Sequence, residues 1–185
     1  MHYQHFKARA EAVSAEVHRF PTKAEAFDFI VGTLRKEGIA DQPRAYAVWA
    51  DCPFLHGVDR GSLSAAMPGL HFELTRERCD QAKVGISQVD WAVAETGTLI
   101  QNCSDVEQRM TSTLPSIHMA IVETDRILPD AATLWTKLDP TTSEYIAMIT
   151  GPSRTADIER VLTIGVSGPE RVIIVAIDQL DEVQG

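Results

Sequence analysis

The chain has 185 residues, of which 44% are hydrophobic, and this length and composition fit one domain that can bury a sizeable core. Its 26 acidic residues outnumber its 17 lysines and arginines, and the formal charge of -9 repels the phosphates of nucleic acids and anionic lipid surfaces. A small anionic ligand remains compatible with this charge, because backbone N–H groups and a few arginines can create a local positive pocket.

Residues 1–17 carry charged side chains throughout and lack the apolar core of a secretory signal. No stretch reaches the roughly 18 apolar residues that a transmembrane helix needs. We therefore expect a cytoplasmic protein without a membrane span. Cys52, Cys79 and Cys103 are isolated from one another and form no C-x-x-C pair, so we expect no metal, iron–sulfur cluster or other cofactor.

The first forty residues predict two helices. Apolar residues recur at steps of three and four, as on one face of a helix, at Phe6, Ala10, Val13 and Val17. This first helix is expected to end at Phe20. Thr22 and Glu25 have the spacing of a capping box and start the second helix, which Gly38 ends.

The middle of the chain alternates between strand and helix patterns. Short apolar runs predict strands at 46–50, 70–74 and 117–122. A loop is expected at 51–66, a polar helix at 76–83, and a helix at 131–138 that Asp130 caps. His118 lies within a predicted strand and is interpreted as a hydrogen-bonded interior imidazole rather than a metal ligand.

Residues 145–149 and 172–177 are rich in β-branched side chains and almost uninterrupted by polar residues, as in central strands covered on both faces. Strands interleaved with helices favour a layered α/β domain with a mainly parallel sheet. No repeat or linker divides the sequence, so residues 1–185 are expected to form one domain.

The first candidate site is the sequence Ala-Glu-Thr-Gly-Thr at 94–98, where a polar bend interrupts an apolar run. Strand ends form the ligand crevices of open α/β sheets, which makes Glu95 the leading candidate for acid–base chemistry. Thr96, Gly97 and Thr98 would bind the ligand. The alternative is purely structural: Glu95 accepts backbone N–H bonds, and Gly97 permits a bend.

The second candidate site is the sequence GPSRTADIE at 151–159, which follows a predicted strand and is expected to open a helix. Unpaired N–H groups at a helix start, together with polar side chains, indicate an anion cradle. Its residues would be Gly151, Ser153, Arg154, Thr155 and Asp157. In the structural alternative, a hydroxyl merely caps this helix and the acidic residues occupy its first turn.

Four segments taken together resemble the LUD domain of the lactate utilisation protein C family. They are AETGTLI at 94–100, LPSIHMAIV at 114–122, GPSRTADIE at 151–159 and GVSGP at 165–169. The motif-bearing core covers residues 84–177, and the N-terminal residues 1–40 add a compatible two-helix start. One departure stands out, because family members commonly have histidine where this chain has Ser167, and a serine hydroxyl does not titrate near neutral pH.

The resemblance implies a three-layer fold similar to that of ribose-phosphate isomerases, CoA-transferases and formyltetrahydrofolate cyclo-ligases. It also implies a cluster-free accessory subunit that supports oxidation of L-lactate to pyruvate alongside separate iron–sulfur partner proteins. The alternative is a binder or enzyme for an organic acid, phosphosugar or CoA ester. Its pocket would join Glu95 to Ser153, Arg154 and Thr155, and whether the chain catalyses a reaction stays open.

Overall fold

The computed structural model describes residues 1–139, 141–143, 145–156 and 162–180. The helices are α1 (Tyr3–Ala12), α2 (Lys23–Lys36), α3 (Arg60–Ala66), α4 (Arg76–Asp80), α5 (Val106–Thr113) and α6 (Ala131–Trp135). The first six strands are β1 (Glu16–Thr22), β2 (Tyr46–Trp49), β3 (Leu70–His71), β4 (Ala82–Gln88), β5 (Trp91–Val93) and β6 (Thr98–Asn102). The others are β7 (Ile117–Glu123), β8 (Ile127–Leu128), β9 (Ile146–Ile149), β10 (Arg154–Ala156), β11 (Leu162–Ile164) and β12 (Arg171–Gln179).

A six-stranded sheet in the order β1-β12-β7-β4-β2-β3 forms the centre of the fold, and every neighbouring pair in it is parallel. A second sheet has four strands in the order β8-β5-β6-β9, and β10 pairs antiparallel with β11. The predicted α/β fold with a mainly parallel sheet flanked by helices is therefore confirmed.

The central sheet is buried on both faces because successive side chains of its inner strands point in opposite directions. Met119 and Val175 belong to a core cluster on one face, together with Ile30 of α2. Ala120 and Ile174 belong to the cluster on the opposite face, which also contains Phe6 of α1 and residues of the four-stranded sheet. These layers give the three-layer arrangement that the resemblance implied.

The second predicted helix is confirmed together with its capping box. The Glu25 amide donates to the Thr22 hydroxyl over 3.3 Å, and the Thr22 amide donates to the Glu25 carboxylate over 3.2 Å. Gly38 follows the helix with a φ of +71°, the left-handed conformation that a glycine adopts without strain.

The predicted extent of the first helix is wrong, because α1 ends at Ala12 and residues 16–22 form β1 instead. Ser14 has a φ of +72°, which turns the chain out of the helix. Val17 fits the helical pattern, but it lies on β1, which pairs with β12, and its side chain is buried there. Pro21 is tolerated there because β1 is an edge strand.

Two further expectations need correction. The predicted loop at 51–66 contains α3, where the Asp59 carboxylate accepts from the amide of Ser62 over 3.0 Å. The strand predicted at 145–149 does not lie in the central sheet, because β9 occupies one edge of the four-stranded sheet. Asp130 does cap α6, although that helix ends at Trp135.

Within the described part of the chain, no helix is long and apolar enough to cross a membrane.

Candidate functional site

The first candidate segment forms a hairpin turn. Its flanking strands, β5 and β6, pair antiparallel in the four-stranded sheet, so the polar residues do not interrupt a central strand as expected. The amide of Gly97 donates to the carbonyl of Val93 over 2.9 Å, and the amide of Glu95 donates to the carbonyl of Pro129 over 3.1 Å. The backbone of this turn is therefore fixed from within the sheet.

Gly97 lies directly against helix α1. Its φ is +69°, and a Cβ at this position would lie 2.4 Å from the backbone nitrogen of Ala10. Real Cβ contacts are essentially never shorter than 3.0 Å, so a side chain here would displace either the turn or the helix. The glycine thus permits a bend, as the structural alternative proposed, and it also permits a close approach between two backbones that the sequence did not indicate.

A chain of three hydroxyl groups links the two candidate segments. Thr96 Oγ1 lies 2.7 Å from Thr98 Oγ1, which lies 2.9 Å from Thr150 Oγ1. Thr150 immediately precedes Gly151, and the adjacent residues Leu99 and Ile149 are paired between β6 and β9. The structure therefore brings the hydroxyls of the first segment to the start of the second.

The second segment also docks on the end of α1. Gly151 has a φ of +71°, and a Cβ here would lie 2.3 Å from the carbonyl oxygen of Val13. Arg154 Nη2 donates to that same oxygen over 2.9 Å and to Ser14 Oγ over 2.6 Å. Arg154 thus satisfies a carbonyl at the C-terminus of α1, a structural role that the sequence did not indicate.

Ala156, near which a helix was expected to begin, lies in a strand, and the rest of the expected helix, at 157–161, lies outside the described residues. Arg154–Ala156 form β10, so Ser153 and Thr155 do not cap a helix at this point. The Ser153 amide donates to the carbonyl of Pro169 over 2.8 Å, so an anion would have to displace this hydrogen bond. Thr155 is half-buried opposite Thr163 in β11. Asp157 lies outside the described residues.

Glu95 and Thr96 are exposed at the tip of the hairpin, as Arg154 is in the second segment. The hydroxyl of Thr96 is held by Thr98. Among the residues described, no hydrogen-bond or ion-pair partner holds the Glu95 carboxylate. A carboxylate in this position is accessible to a ligand, a metal ion or a proton from solvent.

His118 lies on β7, in the middle of the sheet, and is fully buried. Its Nε2 lies 2.8 Å from Ser87 Oγ on the neighbouring strand β4, so the imidazole is in the interior, as expected, and is hydrogen-bonded at this nitrogen. Burial lowers the pKa of His118 to about 4, so the ring is neutral at pH 7. Its Nδ1 has no hydrogen-bond partner among the described residues.

A cavity of about 400 Å³ opens beside the GVSGP segment. Ser167, Gly168 and Glu170 line it together with Ser116, which directly precedes β7. A Cβ on Gly168 would lie 3.3 Å from the Cβ of Ser153, so this cavity adjoins the second candidate segment. The sequence motif drew attention to Ser167 but gave no sign of a cavity.

A family model described as the LUD domain matches residues 3–177. Lactate utilization protein C of an Exiguobacterium species is 35% identical over 114 residues, which cover 58% of this chain and 50% of that protein. The Halalkalibacterium halodurans protein of the same name is 31% identical over 108 residues, covering 55% of this chain and 47% of its own. The Escherichia coli protein named "Uncharacterized protein YkgG" is 32% identical over 107 residues, covering 55% of this chain and 45% of its own. The chain spans about half the length of these curated relatives.

One solved structure supports the fold over nearly the whole chain. It is a DUF162 family protein from Deinococcus radiodurans that superposes with a TM-score of 0.61 at 18% sequence identity. The superposition covers 95% of this chain and 96% of that protein. At this level of identity the likeness concerns the architecture alone.

Proposed function

This chain belongs to the LUD domain family, and from that membership we propose a role in the utilisation of lactate. The observation that carries the proposal is the match of the family model to residues 3–177, joined with relatives named lactate utilization protein C. The same AETGT and GPSR segments that carry the resemblance pack together on the end of α1.

The more specific proposal is a cluster-free accessory subunit that supports oxidation of L-lactate to pyruvate. Cys52, Cys79 and Cys103 are all buried, and burial raises the pKa of Cys79 and of Cys103 to about 11. In the part of the chain that the structure describes, no three His, Cys, Asp or Glu side chains are grouped so that they could hold a metal ion. The electrons from lactate would pass through separate iron–sulfur proteins.

The test uses the organism that makes this protein. Deletion of the gene should abolish growth on L-lactate and leave growth on pyruvate unchanged, and the intact gene should restore growth. A tagged copy purified from lactate-grown cells should recover a protein that contains iron and acid-labile sulfide. Normal growth of the deletion strain on L-lactate would overturn the proposed role, and a pull-down without iron would overturn the partnership.

A second proposed function is the binding or conversion of a small organic acid, phosphosugar or CoA ester at Glu95 and the Ser153–Thr155 region. The accessible Glu95 carboxylate and the hydroxyls that lead from Thr96 to Thr150 support it. The guanidinium of Arg154 has five N–H groups, and in the bonds described only the two on Nη2 serve the end of α1. Other N–H groups of Arg154 would serve the ligand.

Calorimetry with L-lactate, pyruvate and inorganic phosphate tests this second function. Glu95→Gln should weaken the affinity for L-lactate, whose 2-hydroxyl can donate to the Glu95 carboxylate, by about 1 kcal/mol, the difference between a charged and a neutral acceptor. Pyruvate has no donor for this carboxylate, and its affinity should not fall. Glu11→Gln is the matched control, because Glu11 is also exposed and pairs only with Lys7 in the contacts described. Unchanged affinity for L-lactate in Glu95→Gln removes Glu95 from the site, and failure of all three probes to bind contradicts this function for their compound classes.

A further inference from the structure

A larger cavity, of about 790 Å³, lies between α2 and the segment that leads into α3. Its lining includes Lys23, Phe27, Asp28, Val58, Leu63 and Leu180. Small-molecule sites usually have volumes of about 300–1,000 Å³, so this one has the size for a metabolite. None of Glu95, Ser153 and Arg154 lines it, so it is separate from the candidate site described above.

This cavity opens at the carboxyl edge of the central sheet. Strand β1 ends at Thr22, directly before Lys23, and β12 ends at Gln179, directly before Leu180. In open α/β sheets, ligands bind in crevices outside the carboxyl ends of the strands. The position therefore agrees with a ligand site on physical grounds that are independent of any sequence motif.

Lys23 supplies a fixed positive charge at the wall of the cavity. Its Nζ donates to the carbonyl of His56 over 2.6 Å and lies 5.5 Å from the centroid of the Phe54 ring. Across the described ranges, no carboxylate forms an ion pair with this ammonium group. Because these contacts already order the Lys23 side chain, an anionic ligand would lose less conformational entropy on binding to it.

Two carboxylates, those of Asp28 and Asp59, also line the cavity, but neither forms an ion pair with Lys23 in the described part of the chain. The Asp59 carboxylate is engaged at the start of α3, where it accepts from the amide and the hydroxyl of Ser62 over 3.0 and 2.7 Å. Those hydrogen bonds hold the pKa of Asp59 below its ordinary value, so it stays ionised as a helix cap. Asp28 is exposed on α2, one turn beyond Ala24. The start of α2 is capped by Thr22, so Lys23 rather than the helix terminus is the anion-binding group.

Four apolar side chains also line the cavity. Phe27, Val58, Leu63 and Leu180 are each only partly buried, although all four pack against the core cluster on this face of the sheet. A ligand with an apolar body would remove this surface from water, which favours binding. The lining of the cavity therefore combines one ordered ammonium group with apolar side chains, next to the carboxylates of Asp28 and Asp59.

We propose that this cavity is a second binding site, specific for an amphipathic anion. Its carboxylate, phosphate or sulfonate group would bind to Lys23, and its apolar body would pack on Phe27, Val58 and Leu63. The proposal concerns a different part of the molecule from the lactate role, so either can fail without the other.

The probe for the test is 8-anilinonaphthalene-1-sulfonate, an aromatic anion whose fluorescence rises in apolar surroundings. The native protein should bind it saturably with a calorimetric stoichiometry of about one. Lys23→Gln keeps an N–H donor for the His56 carbonyl and removes the charge, and it should weaken binding about tenfold, which corresponds to about 1.4 kcal/mol. Lys36→Gln, at the exposed far end of α2, is the matched control and should change the affinity less than about twofold.

Two further measurements separate this site from general surface adsorption. The uncharged dye N-phenyl-1-naphthylamine should bind native protein and Lys23→Gln alike, because it lacks the group that Lys23 would contact. Leu63→Trp, which fills the cavity from the α3 side, should abolish binding of both dyes while far-UV circular dichroism stays native. Equal affinity of the anionic dye for native protein and Lys23→Gln, or undiminished binding by Leu63→Trp, would overturn the proposal.

Discussion

Replacing Gly97 by alanine is the sharpest test of how the first motif is held in place. The residue has a φ of +69°, and an added Cβ would lie 2.4 Å from the nitrogen and 2.7 Å from the Cα of Ala10. The left-handed conformation alone costs a non-glycine residue about 1–2 kcal/mol. Forcing α1 and the turn apart adds about 1–3 kcal/mol, as other overpacked sites do. We expect Gly97→Ala to lower the free energy of unfolding by about 2–5 kcal/mol.

Two other glycines separate these two contributions. Gly38 has a φ of +71° and nothing within 4 Å of an added Cβ, so Gly38→Ala should cost only the conformational part, about 1–2 kcal/mol. Gly32 lies inside α2 with nothing within 4 Å of its added Cβ. Gly32→Ala should therefore stabilise the protein by about 0.5–1 kcal/mol.

The measurement is urea unfolding followed by far-UV circular dichroism, with the slopes compared to verify that only stability has changed. The expected order of stability is Gly32→Ala above native, then Gly38→Ala, then Gly97→Ala. If Gly97→Ala costs no more than Gly38→Ala, the close contact between α1 and the hairpin does not exist in solution. The structural explanation of this part of the motif would then be wrong.

Three more predictions concern buried polar groups. Burial lowers the pKa of His118 from 6.5 to about 4, so the imidazole of the unfolded chain binds a proton more tightly than that of the folded chain. The free energy of unfolding should therefore fall by up to about 3 kcal/mol as the pH drops from 6.5 to about 4. Urea midpoints should show this slope in native protein and lose it in His118→Asn, and an equal slope in both would contradict the assignment. Burial raises the pKa of Cys79 and of Cys103 to about 11, so Ellman's reagent should label them in native protein only as fast as the chain opens; labelling as rapid as in urea would refute this. Thr98→Val removes the central hydroxyl of the chain that reaches Thr150 and should cost about 1–2 kcal/mol in thermal unfolding, whereas an unchanged midpoint would show that these bonds contribute nothing.

The sequence predicts the elements whose signals are local. Helix α2 begins with the Thr22–Glu25 box and ends before Gly38, and each of these signals acts within a few residues of the bond it forms. Strand β12 is equally evident, because a strand buried on both faces needs a continuous apolar run. Such elements can be assigned without knowledge of the rest of the chain.

Elements that depend on distant partners are assigned incorrectly. Val17 continues the helical spacing of α1, and only pairing with Ile174, far along the chain, makes it part of a strand. The run at 145–149 has the composition of a central strand, yet β6 places it at the edge of the smaller sheet. Composition reports that a strand is apolar, but the sheet to which it belongs depends on the partner that supplies its backbone hydrogen bonds.

The sequence predicts which segments form the candidate site, but it does not predict what each of their residues contacts. The polar turn at 94–97 and the glycine at 151 are visible in the sequence because both interrupt apolar runs. The use of the Arg154 guanidinium by Val13 depends on a contact across 141 positions of the chain and has no local signal. The sequence does not indicate the cavity beside Lys23 either, because that cavity forms only where α2, α3 and the end of β12 come together.

The end of helix α1 gives a physical basis for dividing the motif residues into two groups. Gly97, Gly151 and Arg154 all contact its last turn or the residue that follows it, and each has a structural reason for its identity there. A ligand is not needed to explain any of the three. Glu95 is different, because an exposed carboxylate without a partner in the described structure contributes nothing to folding that glutamine would lack. If these segments bind or convert a small molecule, Glu95→Gln should therefore lose that function while keeping the native free energy of unfolding. This result would show that Glu95 acts on the ligand and is not needed for folding.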